Sequence, residues 1–143
     1  VLAQDTPPAV SAVVDASFTL SNTSSGTGSH GGSYSECSVV FMAPTSGRVI
    51  IHLSARLKND TATDATMVCT ETREGAVIGS GTIVDGVGDR GPSHYGVEFA
   101  RIGTSRMLSG LTPGASYNCR VLHKVIAGNG AIALRELIVV PTS

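Results

Sequence analysis

Between Gly47 and Lys58 the chain alternates. Val49, Ile51, Leu53, Ala55 and Leu57 fall on one side, and Arg48, His52, Ser54, Arg56 and Lys58 on the other, with Ile50 the one apolar residue among the polar positions. A period of two held over this length predicts a strand with one buried face. Ser93 to Ile102 repeats the pattern, setting Tyr95, Val97, Phe99 and Arg101 against His94, Gly96, Glu98 and Ala100. Ser116 to Ile126 does so again, with Tyr117, Cys119, Val121, His123 and Val125 opposed to Asn118, Arg120, Leu122, Lys124 and Ile126. Ala131 to Val140 is nearly all apolar and predicts a strand covered on both faces, stopped by Pro141. Weaker strand candidates are Val10–Leu20, Cys37–Ala43, Ala65–Glu74, Ala76–Asp85 and Thr104–Leu108.

Turn chemistry separates these runs: Ala43-Pro44-Thr45-Ser46-Gly47, Lys58-Asn59-Asp60, the glycine-rich 86–92, Thr112-Pro113-Gly114 and Gly128-Asn129-Gly130. No stretch combines a 3.6-residue period with helix caps. Many strands with turns at this spacing predict an all-β protein, an antiparallel β-sandwich or barrel. Two segments stand apart. Residues 1–9, with Pro7-Pro8, read as an extended N-terminal arm, and residues 10–143 as one β-sandwich domain with a Gly/Ser-rich loop at 21–35.

The length, 143 residues, fits one domain. Charged residues are only 15% of the chain, where about 25% is usual, and 17 glycines with many Ser and Thr take their place. A disordered polyelectrolyte and a helical bundle are both excluded by this balance. The net charge of −1 gives no electrostatic case for nucleic acid or an anionic membrane. So few charges suit a subunit of a large assembly better than a free monomer. No window approaches the ~20 apolar residues of a membrane span, and the first residues lack the pattern of a secretory leader. Cys37, Cys69 and Cys119, odd in number and widely spread, predict buried apolar thiols rather than a disulfide framework.

Candidate chemistry is sparse. Gly79-Ser80-Gly81-Thr82 lacks the Lys of a phosphate loop and has strand-like flanks, so it predicts a bulge or strand bend. His30, His52, His94 and His123 form no compact ligand pattern, and His123 lies on an apolar face as a hydrogen-bonded core residue would. Asp60, Asp64, Asp85 and Asp89 read as solvated turn acids, and Glu71-Thr72-Arg73-Glu74 as an exposed strand end. Nothing assembles a nucleophile with its base and orienting acid, so no enzyme, metal or cofactor is expected.

The most specific local pattern is Leu111-Thr-Pro-Gly-Ala-Ser-Tyr117-Asn-Cys119-Arg-Val121. A turn closes and a Tyr opens a strand, as in a tyrosine corner, where the phenol bonds back to the chain upstream. This stretch resembles fibronectin type III and immunoglobulin-like domains and supports a Greek-key sandwich as the alternative fold, although the chain has no core Trp and is longer.

Four stretches together, Phe41-Met-Ala-Pro-Thr-Ser-Gly47-Arg-Val-Ile, Arg73-Glu-Gly-Ala-Val-Ile-Gly-Ser-Gly-Thr82, Leu111 to Arg120 and Arg135-Glu-Leu-Ile-Val-Val-Pro141, resemble small structural proteins of actinobacterial tailed phages. The order of a turn feeding a long alternating strand, then an apolar last strand, is also similar to trimeric jelly rolls of the complement-component and tumour-necrosis-factor type. The resemblance implies a jelly-roll-like sandwich. It also implies a non-enzymatic virion protein, assembled in the host cytoplasm: a capsid decoration (minor capsid) protein that binds and stabilises the major capsid lattice. The expected partners are the major capsid protein or another virion protein, and copies of the chain itself in a trimer. Val1, Leu2, Pro7 and Pro8 are the expected partner contacts. The alternative is a tail-tip or fibre module recognising a host-surface glycan, for which Tyr34 in the Gly/Ser loop is the candidate ring.

Overall fold

In the computed structural model, residues 5–21, 37–86, 88 and 90–143 are described. The described residues form ten strands: β1 (Val10–Val14), β2 (Phe18–Ser21), β3 (Ser38–Met42), β4 (Val49–Asn59), β5 (Ala65–Glu74), β6 (Ile83–Asp85), β7 (Ser93–Tyr95), β8 (Ala100–Leu108), β9 (Ser116–Val125) and β10 (Asn129–Pro141). They make two antiparallel sheets. Sheet A runs β1-β10-β4-β8 with β2 also on β10, and sheet B runs β3-β9-β5-β6 with β7 also on β5.

β1 and β2 act as one broken strand along β10, and β6 and β7 as another along β5. The remaining pairs nest: β3 with β9 and β4 with β8, inside β1/β2 with β10. First pairs with last, second with second-last, and so on inward, which is a long hairpin wound into two layers. This is the jelly roll. The antiparallel pairing of the first strand with the last departs from the ABED and CFG sheets of the constant-type immunoglobulin sandwich, so the order is that of the jelly roll rather than of the immunoglobulin-like alternative.

The alternation in β4 and β9 dictates the core. Val49, Ile51, Leu53, Ala55 and Leu57 face Val39, Phe41, Val68, Tyr117, Cys119 and Val121 across the layers, joined by Ile132, Leu137 and Val139 of β10. The last strand is covered on its inner face only, since Glu136, Ile138 and Val140 are half-exposed outside. Its inward set also changes parity. The register with β4 slips between Ala133 and Glu136, and Leu134 takes a positive φ of 47°. This bulge turns Arg135 into the interior at 1% exposure. There its guanidinium carbon lies 4.9 Å from the Phe18 ring centroid and its Nη1 3.2 Å from His123 Nε2. His123 is a buried, hydrogen-bonded core residue, as its apolar strand face predicts.

Besides Val10–Leu20, which breaks into β1 and β2, two further strand expectations fail for local reasons. Ser93–Ile102 breaks into β7 and the start of β8 because Gly96 bends the chain at φ 154°. Ala76–Asp85 is a loop closed by the three-residue β6. The three cysteines are buried and none is in a disulfide, as expected, and burial pushes the Cys119 thiol up to about 12. The tyrosine corner is present: Thr112 N donates to Tyr117 Oη at 2.8 Å, and the Tyr117 ring stacks on Phe41 at 5.8 Å. Tyr117→Phe keeps the ring and removes one hydrogen bond to an exposed turn. We expect a loss of about 1 kcal/mol in chemical denaturation with an unchanged m-value; no change would mean that the corner is not a stabilising bond.

Candidate interaction surfaces

β1 and β3 are the edge strands of opposite sheets, and they meet at one margin of the sandwich, where Cys37 Sγ lies 3.8 Å from the Ala12 carbonyl. Pro7 and Pro8 precede β1. Lacking N–H donors, they cannot extend its ladder. Together with Val10, Val40, Phe41, Met42 and Ser116 they line a mostly apolar hollow of about 310 Å³. Pro7 is buried against its own sandwich and Pro8 is exposed. Val40 is 39% exposed on the outward side of β3.

Of the residues expected to meet a partner, the hollow therefore brings Pro7 and Pro8 together, with Pro8 the one offered outward. Val1, Leu2 and Tyr34 lie outside the described residues. Val40 and Met42 were missed by sequence reasoning. Their signal was available, because alternation from Cys37 puts both on the side opposite the core residues Val39 and Phe41, and both are apolar.

The outer face of sheet A is a second surface. Register places Val140, Ile50 and Met107 in one row, Ile138, His52 and Ser105 in the next, then Glu136, Ser54 and Gly103. Small residues leave a shallow depression of about 210 Å³ bordered by His52, Ser105, Glu136 and Ile138. His52 Nδ1 and Ser105 Oγ are 2.7 Å apart. Glu136 is directed elsewhere, with Oε2 3.9 Å from Arg101 Nη2. Among the described residues no third, orienting group is hydrogen-bonded to the pair, which sits on an open sheet and can exchange hydrogen bonds with a polar partner.

Two acidic positions expected in solvent are buried instead. Asp85 is 9% exposed and pairs with Arg106 of β8, reaching from the margin of one sheet to the margin of the other; Arg90 Nη2 adds a contact at 3.4 Å. Glu71 is buried on the outward side of β5, with Oε1 2.7 Å from Arg73 Nε and 3.0 Å from Arg120 Nε and Nη2. Burial pushes its carboxyl up, but the hydrogen bond from Arg73 and the charges of Arg120 and Arg73 together outweigh that and hold it below its ordinary 4.5. Beside them, buried Asn118 organises the loop after β5. Its Nδ2 donates to the carbonyls of Gly75 at 3.0 Å and Ser80 at 3.2 Å, and its Oδ1 accepts from Gly79 N at 3.0 Å. The Gly79-Ser80-Gly81 amide that could have met a phosphate is engaged by Asn118. Gly81, at φ 98°, lies where a Cβ would stand 1.9 Å from the Glu74 carbonyl oxygen. The motif is a bend held from β9, and no group of three or more His, Cys, Asp or Glu among the described residues could hold a metal ion.

Comparison with models of known protein families gives no match, and comparison with curated proteins gives none either.

A carboxyl held low in the fold stabilises above its unfolded value and loses that contribution as pH falls through its folded value. Thermal melts should therefore show a stability decline below about pH 4.5 to which Glu71 contributes. Glu71→Gln should lower stability at pH 7 by about 1.5–3 kcal/mol and flatten the acid decline. An unaltered acid limb in the variant would show that Glu71 is not a source of the pH dependence.

Proposed function

We propose that this chain is a non-enzymatic structural protein of a tailed-phage virion, a capsid decoration protein that binds the major capsid lattice through the hollow at the β1/β3 margin. The observation that carries this reading is the hollow itself. It joins an apolar surface to β1 and β3, which are sheet edges among the described residues, and a partner segment lying there can bury Pro8, Val40 and Met42 while pairing along one of those strands. The low charge of the chain supports an assembled life. So does the composition of the stretches that resemble phage structural proteins. Phe41–Ile50 is the β3–β4 turn, Leu111–Arg120 the tyrosine corner and Arg135–Pro141 the end of β10, all framework rather than chemistry. Self-association belongs to the proposal. The row of Val140, Ile50 and Met107 on sheet A, with Met107 56% exposed, is the apolar surface that a trimer would cover.

The test is co-sedimentation of the full chain with empty capsids built from the major capsid protein of the same genome. Val40→Asp places a charge in the hollow without entering the core. It should leave the melting transition within about 0.5 kcal/mol of the parent and weaken capsid binding about tenfold or more. Binding of the variant equal to the parent would remove the hollow from the account, and no binding of the parent would remove the decoration role. Light scattering on the parent should give a trimer mass; a monomer would remove the self-association.

A further inference from the structure

We infer that Asn129-Gly130, at the start of β10, is a site of covalent ageing: Asn129 loses its side-chain amide to the backbone nitrogen of Gly130, and Asp60 restrains that loss. The inference is independent of the decoration role. The site lies at the opposite end of β10 from Val140 and its row.

Packing dictates both neighbours of Asn129. Gly130 is buried, and a Cβ there would stand 2.5 Å from Thr66 Oγ1 and 2.6 Å from Val125 Cγ2. Thr66 is itself fixed, because its Oγ1 donates to the Lys58 carbonyl at 2.8 Å. Space therefore demands glycine at 130. On the other side Gly128 takes a φ of 71°, and a Cβ there would stand 2.5 Å from Asp60 Oδ1. Asn129 between them is exposed, and it precedes the one residue type that puts no side chain beside its own backbone nitrogen. Asn22, Asn59 and Asn118 are followed by Thr23, Asp60 and Cys119. Asn59 and Asn118 are also buried, with carboxamides that donate to the Ala127 carbonyl at 2.9 Å and the Gly75 carbonyl at 3.0 Å.

The reaction needs only solvent. Gly130 N gives its proton to solvent base and attacks Asn129 Cγ; the bond from Cγ to Nδ2 breaks, and ammonia leaves. Water then opens the cyclic imide at either carbonyl, giving aspartate or its β-linked isomer. Closing that ring needs a backbone angle far from that of an extended strand, and Asn129 belongs to β10. Asp60 keeps it there. Asn129 N donates to Asp60 Oδ1 at 3.0 Å and its Nδ2 to Oδ2 at 2.8 Å, while its carbonyl accepts from Asp60 N at 2.9 Å. The same N–H, and after it the carboxamide, hold the Asp60 carboxyl below its ordinary 3.8, so a charged acceptor faces Asn129 at neutral pH. Either product spoils this lock. Aspartate sets a second carboxylate against Asp60 where a donor stood. The β-linked isomer adds a backbone atom just before Gly130, which is in register with Leu20 of β2 and Asn59 of β4 at once. Ageing thus loosens the β4–β5 and β9–β10 turns together.

The test is incubation of the folded full chain in mildly alkaline buffer, followed by proteolysis and mass spectrometry. Asn129 should convert to a mixture of aspartate and its isomer ahead of Asn22, Asn59 and Asn118, and faster as pH rises. Asp60→Ala should speed the conversion about 2–5-fold, the weight of an exposed charged contact. Asn129→Gln should remove most of the acidic species that isoelectric focusing detects in the aged parent. Asn129→Asp should lower the melting temperature by about 1–4 °C, and adding Asp60→Asn should recover it. An Asn129 that stays intact, or converts no faster than Asn22, would overturn the site. An unchanged rate in Asp60→Ala would overturn the restraint, and an Asn129→Asp chain as stable as the parent would overturn the loosening.

Discussion

The fold depends on a change of step in its longest strand. β10 pairs with β1, β2 and β4, so every strand of sheet A except β8 is hydrogen-bonded to it directly. Ile132 must face the core, and so must Leu137 and Val139; their spacing cannot satisfy a period of two without an extra residue. The bulge at Leu134 supplies that residue. It aligns both apolar sets with the core and turns Arg135 inward, where Phe18 from β2 and His123 from β9 close around it. One backbone irregularity thereby ties both sheets to a single interior cation, and its displaced carbonyl also receives Arg101 on the outside.

The two long margins of the sandwich are closed in different ways. At the β8/β6 margin a buried carboxylate, Asp85, holds Arg106 from the opposite sheet. An inward-pointing charge on an edge strand also discourages further strand pairing there. At the β1/β3 margin there is no such device among the described residues. Prolines, valines and Met42 meet instead, and they leave a hollow. This asymmetry directs the functional reading. Ion pairs satisfy the first margin internally, whereas the apolar second margin, an edge of both sheets among the described residues, is the one the proposed partner would cover.

What could be read from the sequence was whatever alternation or a local turn controls. β4, β5 and β9 follow their patterns nearly to the residue, and the Pro113-Gly114 turn with Tyr117 forms the expected corner. What could not be read depends on groups far apart in the chain. Ala76–Asp85 has the composition of a strand, but Asn118 of β9 captures its backbone as a loop. Asp85 and Glu71 look like solvated acids until strands β8 and β9 bring arginines to them. Of the interaction surfaces, Pro7 and Pro8 were marked by their chemistry, and Val40 and Met42 only by the side on which alternation puts them.

The most direct test of the central claim is hydrogen–deuterium exchange of the full chain, free and bound to assembled capsids. Capsid binding through the apolar margin predicts slowed exchange in β1 and β3, confined to residues 10–14 and 38–42, with β6 and β8 unchanged. Protection that falls on β6 and β8, or none at all in β1 and β3, would contradict the account.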